Sequence, residues 1–193
     1  MHQRRIFISI DISSKLKNQL WRYHDDWLNL PVRWVNRDNY HITLLFIGQS
    51  PDEKVGEICQ LVHDIAQGYS PFSLKFNQIR YTPSQKNPPF YISLTGESNS
   101  EIIALQNDLK DTLTEHRLYF PGAGGGRKDF QPHITLGRIQ KWEWRKMEPE
   151  EVPEIQEKVD ITVPVTEFSV VESKLRRQGP EYIICETAKL KEQ

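Results

Sequence analysis

Cysteine is scarce in this chain: among 193 residues there are two, Cys59 and Cys185, each in an apolar setting (EICQL and YIICE) and without CxxC spacing. That excludes a disulfide-built scaffold, and two buried free thiols are expected, as suits a reducing cytosol. An excess of either charge is also missing, since 25 basic and 26 acidic residues leave a formal net charge of −1. Any polyanion must therefore be met by a local basic patch. No window approaches the roughly 20 apolar residues of a membrane span, and MHQRRIFISIDI is too short and too alternating for a signal peptide. A cytoplasmic protein that does not engage a membrane is expected. HExxH and Cys/His ligand spacings are absent, so neither a metal nor a cofactor is expected. What remains, 37% hydrophobic and 26% charged residues, is the composition of a packed domain able to bury its own core.

RRIFISIDI (4–12) alternates and reads as a strand; Ser13 or Ser14 then caps a helix with Leu16, Leu20, Tyr23 and Trp27 on one side. VRWVN (32–36) and YHITLLFIG (40–48) read as an antiparallel pair joined by the turn Arg37-Asp38-Asn39. Ser50-Pro51-Asp52-Glu53 has the form of a capping box, opening a helix with Val55, Ile58, Val62 and Ile65 that stops near Gly68. FSLKFNQIRYT (72–82) and FYISLTG (90–96) are strands, and a second box, Ser98 to Glu101, opens a helix with Ile102, Leu105, Leu109 and Leu113. The loop 117–132 leads to the strand HITLGRI, then an acidic helical stretch near 148–158 and strands at 160–172 and 181–188.

His-Ile-Thr-Leu thus occurs twice, at 41–44 and 133–136. Tyr91 follows the first histidine by 50 residues and Tyr182 follows the second by 49, each after a Ser-containing turn (Ser84, Ser173) and a proline. Such a repeat implies an internal duplication. The expected fold is α+β: two lobes related by a pseudo-twofold, each an antiparallel sheet with helices on one face, and an active-site cleft between them. Residues 1–193 then form a single domain whose interleaved halves run roughly 30–96 and 117–190.

Residues i and i+2 of a strand share a face, so His41 stands with Thr43 and His133 with Thr135, while Ile42, Leu44, Ile134 and Leu136 point the other way. Were the two strands to converge, two imidazoles and two hydroxyls would line one cleft. One imidazole can take a proton from a nucleophile attacking phosphorus while the other protonates the leaving oxygen, and the hydroxyls can donate to the non-bridging oxygens. Sequence alone does not say which histidine is acid and which is base. His2, His24, His63 and His116 have no counterpart in the repeat and read as solvated or helix-surface residues.

YHITLLFIG, FQPHITLGRI and ESKLRRQGPEYIIC together resemble the two-histidine phosphoesterases, specifically the RNA 2′,3′-cyclic phosphodiesterases first described as 2′-5′ RNA ligases (LigT/ThpR type), over roughly 4–190. The resemblance implies hydrolysis of an RNA 2′,3′-cyclic phosphate end to a 2′-phosphomonoester, with His41 as proton donor to the 3′-oxygen and His133 as proton acceptor from water. It also implies an RNA partner, tRNA fragments included; a monomer is expected. Alternatives of the same site are reversible 2′-5′ RNA ligation and hydrolysis of a small cyclic nucleotide; a non-catalytic RNA-end binding module is a third reading. The family often places arginine five residues before the second histidine, where this chain has Lys128 beside Arg127, a change that removes a bidentate guanidinium contact. Lys128, Arg127, Phe130 and Tyr40 are candidate substrate-binding residues, with Trp34 another candidate base platform.

The glycine-rich run 122–126 is either a lid or a connector, and without a GK[ST] ending it is no P-loop. Basic residues gather near the motifs: Arg33, Arg37, Arg138, Lys141, Arg145, Lys146, Lys174, Arg176 and Arg177. By alternation alone Arg138, five residues past His133, points away from it unless a bulge intervenes. Trp142 and Trp144 are read as packing residues before base platforms.

Overall fold

The computed structural model describes residues 2–120, 130–177 and 179–192. The chain runs β1 (Gln3–Asp11), α1 (Ser14–Asp26), β2 (Val32–Trp34), β3 (His41–Pro51), α2 (Asp52–Ala66), β4 (Phe72–Thr82), β5 (Tyr91–Gly96), α3 (Ser100–Glu115), β6 (His133–Ile139), α4 (Lys141–Trp144), β7 (Gln156–Val165), β8 (Glu167–Arg176) and β9 (Gly179–Lys189). Among the described residues these nine strands make one antiparallel sheet in the order β7-β4-β5-β6-β3-β1-β8-β9, with β2 added to β6. The class is the expected α+β. β7 and β8 stand far apart in that order yet are separated by Thr166 alone, so the sheet must curl. No helix among the described residues is long and apolar enough to cross a membrane.

Periodicity places the core. Leu16 and Leu20 of α1, Val55, Ile58 and Val62 of α2, and Ile102, Leu105, Leu109 and Leu113 of α3 are buried with Ile42, Leu44, Ile79, Leu94, Ile134 and Leu136 of the strands. Removing such side chains from water supplies the main driving force for folding. Cys59 and Cys185 are free thiols, half-buried rather than fully buried, and burial pushes the Cys59 thiol up to about 11. Arg4 Nη2 lies 3.1 Å from Cys185 Sγ.

Several expectations need correction. β2 does not pair with β3; Val32, Arg33 and Trp34 stand opposite Ile139, Arg138 and Gly137 of β6. One edge of β3 is occupied by β1 along its length, and the other meets β6 at Ile42–Ile134 alone, so β6 beyond that point needs another backbone partner and β2 supplies it. Gly137 permits the approach, since a Cβ there would lie 2.3 Å from Val32 Cγ1. Ser50 caps nothing: it is buried in β3, and α2 starts from Pro51 without a side-chain cap. Asn99, not Ser98, caps α3 by accepting from Ile102 N at 2.9 Å. The acidic stretch 148–158 holds one 3-10 turn, Pro149–Glu151, and no α-helix, because Pro153 removes a backbone donor and β7 begins at Gln156. The span 160–172 is two strands divided at Thr166.

The two HITL strands share one ladder irregularity. Ile8 stands opposite Leu45 and Ser9 opposite Thr43, which leaves Leu44 as a bulge. Ile92 stands opposite Gly137 and Ser93 opposite Thr135, which leaves Leu136 as its equivalent. The strand pairs β1/β3 and β5/β6 therefore correspond, and Tyr91 matches Phe7 rather than Tyr182. A bulge frees backbone groups that must find partners elsewhere. Leu136 O accepts from Val35 N at 2.9 Å, whereas Leu44 O accepts from the buried Gln106 Nε2 at 3.0 Å, with Lys110 Nζ on Gln106 Oε1 at 2.8 Å. Replacing Gln106 with leucine strands the Leu44 carbonyl, and the expected loss is about 1–3 kcal/mol in urea unfolding.

Candidate active site

β3 and β6 each begin at the histidine of their motif. Their single registered pair, Ile42–Ile134, buries both isoleucines completely on the helix side. Continuing that antiparallel register by one residue sets His41 opposite Thr135 and Thr43 opposite His133, all four on the face away from the isoleucines. The histidines thus sit on one diagonal and the threonines on the other. In a regular ladder a diagonal spans about 7–8 Å, room for a phosphate between the two rings.

Each imidazole is anchored in the same way. His41 Nδ1 lies 2.7 Å from Asn39 O, and His133 Nδ1 lies 3.0 Å from Gln131 O, the carbonyl two residues back in both cases. A carbonyl can only accept, so each Nδ1 donates and each Nε2 is left for chemistry. His41 Nε2 is 2.9 Å from Thr43 Oγ1, whose hydroxyl donates to the neutral ring. Asn39 is itself held by donating from Nδ2 to Pro180 O at 2.8 Å, which ties the segment before β3 to β9.

The two rings have different surroundings. His133 is exposed, whereas His41 is walled by Phe7 at 5.1 Å and Tyr182 at 5.3 Å between ring centroids. Desolvation by this wall holds His41 below the ordinary imidazole range; the Asn39 carbonyl and Asp11 oppose the shift, while the positive charges of Lys17 and His133 add to it. Asp11 is the registered partner of His41 and forms an ion pair with Lys17 at 2.7 Å.

The bulge at Leu136 settles where Arg138 points. It reverses the alternation, so Arg138 stands opposite Tyr91 and shares the face of Ser93, Thr135 and His133. Its guanidinium lies 5.5 Å from the Tyr91 ring centroid, and its charge reaches Tyr182 beside His41. The corresponding fifth position after His41 is Phe46, stacked on Phe7 with centroids 6.2 Å apart. Arg33, the registered partner of Arg138, extends the basic edge. Strict alternation hides Arg138, and Tyr182 and Phe7 lie too far from the motifs in sequence to be linked with them.

Other candidates fall elsewhere. Tyr40 is 1% exposed and fills the core, with no hydrogen-bond partner for its hydroxyl among the described residues, so it is no substrate contact. It faces away from the cleft because it immediately precedes His41 on the chain. Phe130 is half-buried beside His133, its carbonyl accepting from Ser98 Oγ. Arg127, Lys128 and the run 122–126 lie outside the described residues. Trp34 belongs to an aromatic group with His24 and Trp27. Trp144 is buried and donates to Asn87 Oδ1 at 3.1 Å, while Trp142 is exposed beneath Lys146. Arg176 is engaged by Glu181 at 2.8 Å.

Comparison with known proteins gives a consistent result. The family model described as the 2′-5′ RNA ligase superfamily matches residues 16–177. The RNA 2′,3′-cyclic phosphodiesterase of Thermotoga maritima is 28% identical over 185 residues, covering 92% of this chain and 91% of that protein. The protein of the same name from Methanothermobacter thermautotrophicus is 28% identical over 191 residues, covering 96% and 98%. The crystal structure of TT0787 of Thermus thermophilus has the same fold, with a TM-score of 0.80 at 24% identity over 98% of this chain and 99% of that one. E. coli LigT complexed with 3′-AMP gives 0.74 at 24% identity with the same coverage. With its two HxT strands paired side by side in one sheet and a family-model match over most of its length, the chain belongs to the 2′-5′ RNA ligase superfamily.

Proposed function

We propose that the protein hydrolyses RNA 2′,3′-cyclic phosphate ends to 2′-phosphomonoesters, using His41, His133, Thr43 and Thr135 and no metal. The observation that carries the reading is the Ile42–Ile134 pair, which sets both HxT motifs on one face. The names of the curated relatives supply the substrate class.

In this reading the cyclic phosphate lies between the two diagonals. Water is held by His133 Nε2, which takes its proton as the oxygen attacks phosphorus. The P–O3′ bond breaks on the opposite side, and His41 Nε2–H protonates the leaving 3′-oxygen, while the 2′-oxygen stays bonded to phosphorus. Thr43 and Thr135 donate to the non-bridging oxygens as negative charge gathers there. The same site accepts a 5′-hydroxyl in place of water, which would make the 2′-5′ bond after which the superfamily is named. Incubation with a cyclic-ended oligoribonucleotide in EDTA, followed by phosphatase treatment and 2′/3′ chromatography, tests the reading: a 2′-phosphate supports it, and an unchanged end overturns it.

The depressed pKa of His41 gives a pH prediction. As the acid, His41 must be protonated, so kcat/KM falls as pH rises through a midpoint below the ordinary value of about 6.5. In the bound state the phosphate's negative charge favours the imidazolium, and the corresponding limb of kcat moves to higher pH. The two pH–rate profiles check this. A kcat/KM that instead rises with pH through a depressed midpoint assigns His41 the base's role and His133 the acid's.

A further inference from the structure

The face that carries the four motif side chains does not end at β6. Thr135 stands opposite Ser93 on β5, and Ser93 opposite Arg80 on β4; in the neighbouring row His133 stands opposite Thr95, and Thr95 opposite Gln78. Directly opposed residues share a face, so Arg80 and Gln78 lie on the same polar surface as the histidines, with Ile79, Leu94 and Ile134 on the buried side. Two strand spacings put Arg80 about 10 Å from β6. Ser93 and Thr95 are small, buried and satisfied, Ser93 by Thr82 at 2.8 Å and Thr95 by donating to Gln78 O at 3.1 Å. They form a low floor.

Over that floor opens a cleft of about 510 Å³, lined by Asn77, Gln78, Arg80, Thr95, Phe130 and Gln131 among others. Gln131, whose carbonyl anchors His133, is one of its lining residues, so the cleft borders the motif site. Arg80 Nε is buried and has no hydrogen-bond partner among the described residues, and no carboxylate among them forms an ion pair with its guanidinium. Leaving a charged donor both buried and unpaired is costly unless something fills the place. The acidic lining residue, Glu97, is already engaged by Asn77 Nδ2 at 2.9 Å.

We infer that this cleft is the subsite for the nucleotide preceding the cyclic end, and that Arg80 binds its phosphodiester. The inference rests on the cyclic-phosphodiesterase reading above and specifies its substrate: an oligoribonucleotide in preference to a nucleoside 2′,3′-cyclic phosphate. Buried Nε fixes the plane of the guanidinium, and its Nη N–H groups are the ones that can meet a phosphate in the cleft. The amides of Gln78 and Gln131 can serve the adjoining sugar. Arg80 touches no reacting atom and acts on specificity.

The test compares a short cyclic-ended oligoribonucleotide with a nucleoside 2′,3′-cyclic monophosphate as substrates of wild type and Arg80→Ala. The variant is expected to lose about tenfold in kcat/KM on the oligonucleotide and nothing on the mononucleotide. The slope of log kcat/KM against log salt for the oligonucleotide should shrink by about 0.7, the signature of one lost phosphate contact in a single strand. Should alanine fail to fold by circular dichroism, Arg80→Gln is measured the same way with the same expectation. Equal losses on both substrates, or an unchanged salt slope, would overturn the inference while the hydrolytic reading stands. If wild type turns over neither substrate, that reading fails first and the cleft assignment falls with it.

Discussion

Alanine at His41 or at His133 is expected to lower turnover of a cyclic-ended oligoribonucleotide by about 10²–10⁴-fold, the usual contribution of a positioned acid or base. Each ring has its Nδ1 committed to a backbone carbonyl, so each has one nitrogen for proton transfer, and no other described histidine is placed to substitute. His24 is stacked on Trp21, and His116 lies near Glu57. The double variant is expected to be little worse than either single one, because acid and base act on the same displacement and their losses do not add. Circular dichroism should show both single variants folded: His133 is exposed, and the shell around His41 keeps Phe7 and Tyr182 in contact with each other at 5.0 Å. Full activity in either single variant would remove the basis of the proposed mechanism.

The next largest effect belongs to the threonines. Thr135→Val deletes a donor to a non-bridging oxygen while keeping the branched shape that the strand favours, and a loss of about 10²–10³ in kcat is expected, with Thr135→Ser recovering most of it. Thr43→Val should cost a comparable amount and carry a second signature. Thr43 Oγ1 is the partner of His41 Nε2 at 2.9 Å, so its removal changes the environment of the ring itself. The hydroxyl donates to the neutral ring but accepts from the imidazolium Nε2–H in the stronger, charge-assisted bond, so its loss disfavours the charged form and the His41 limb of the kcat/KM profile moves to lower pH. Thr135→Val should leave that limb in place. Equal displacement of the limb by both variants would contradict the distinct placement of the two hydroxyls.

The asymmetry between the halves bears on substrate binding. Equivalent bulges at Leu44 and Leu136 bring the fifth residue after each histidine onto the face of the motif side chains, where one strand presents Phe46 on Phe7 and the other Arg138 on Tyr91. The motif face thus carries an apolar wall beside one HxT strand and a cationic one beside the other. An RNA end offers both surfaces such walls would recognise, a base to stack and a phosphate to neutralise. The walls differ although the two motifs share His-Ile-Thr-Leu.

Local pattern was enough to place α1, α2, α3 and the two HxT strands, because helix and strand periods are properties of neighbouring residues, but it put a helix in the acidic stretch 148–158 where Pro153 and β7 leave none. The α+β class followed from the same alternation of elements. Three features depended on contacts between residues distant in sequence and were out of reach. A bulge is a miscount between two strands, so Arg138 could not be assigned a face until its partner Tyr91 was known. The partner of β2 was decided by which backbone edge stood open after β1, β3 and β6 had paired. The aromatic neighbour of His41 is Tyr182 and not Tyr40 for a similar reason: proximity in sequence put Tyr40 beside His41 but on the far face, whereas β9, more than a hundred residues on, carried Tyr182 against the ring. The sequence by itself determined which groups can move protons and hold an anion; the tertiary structure decided that they meet on one face and what surrounds them, because register and burial are set by the whole sheet rather than by any one strand.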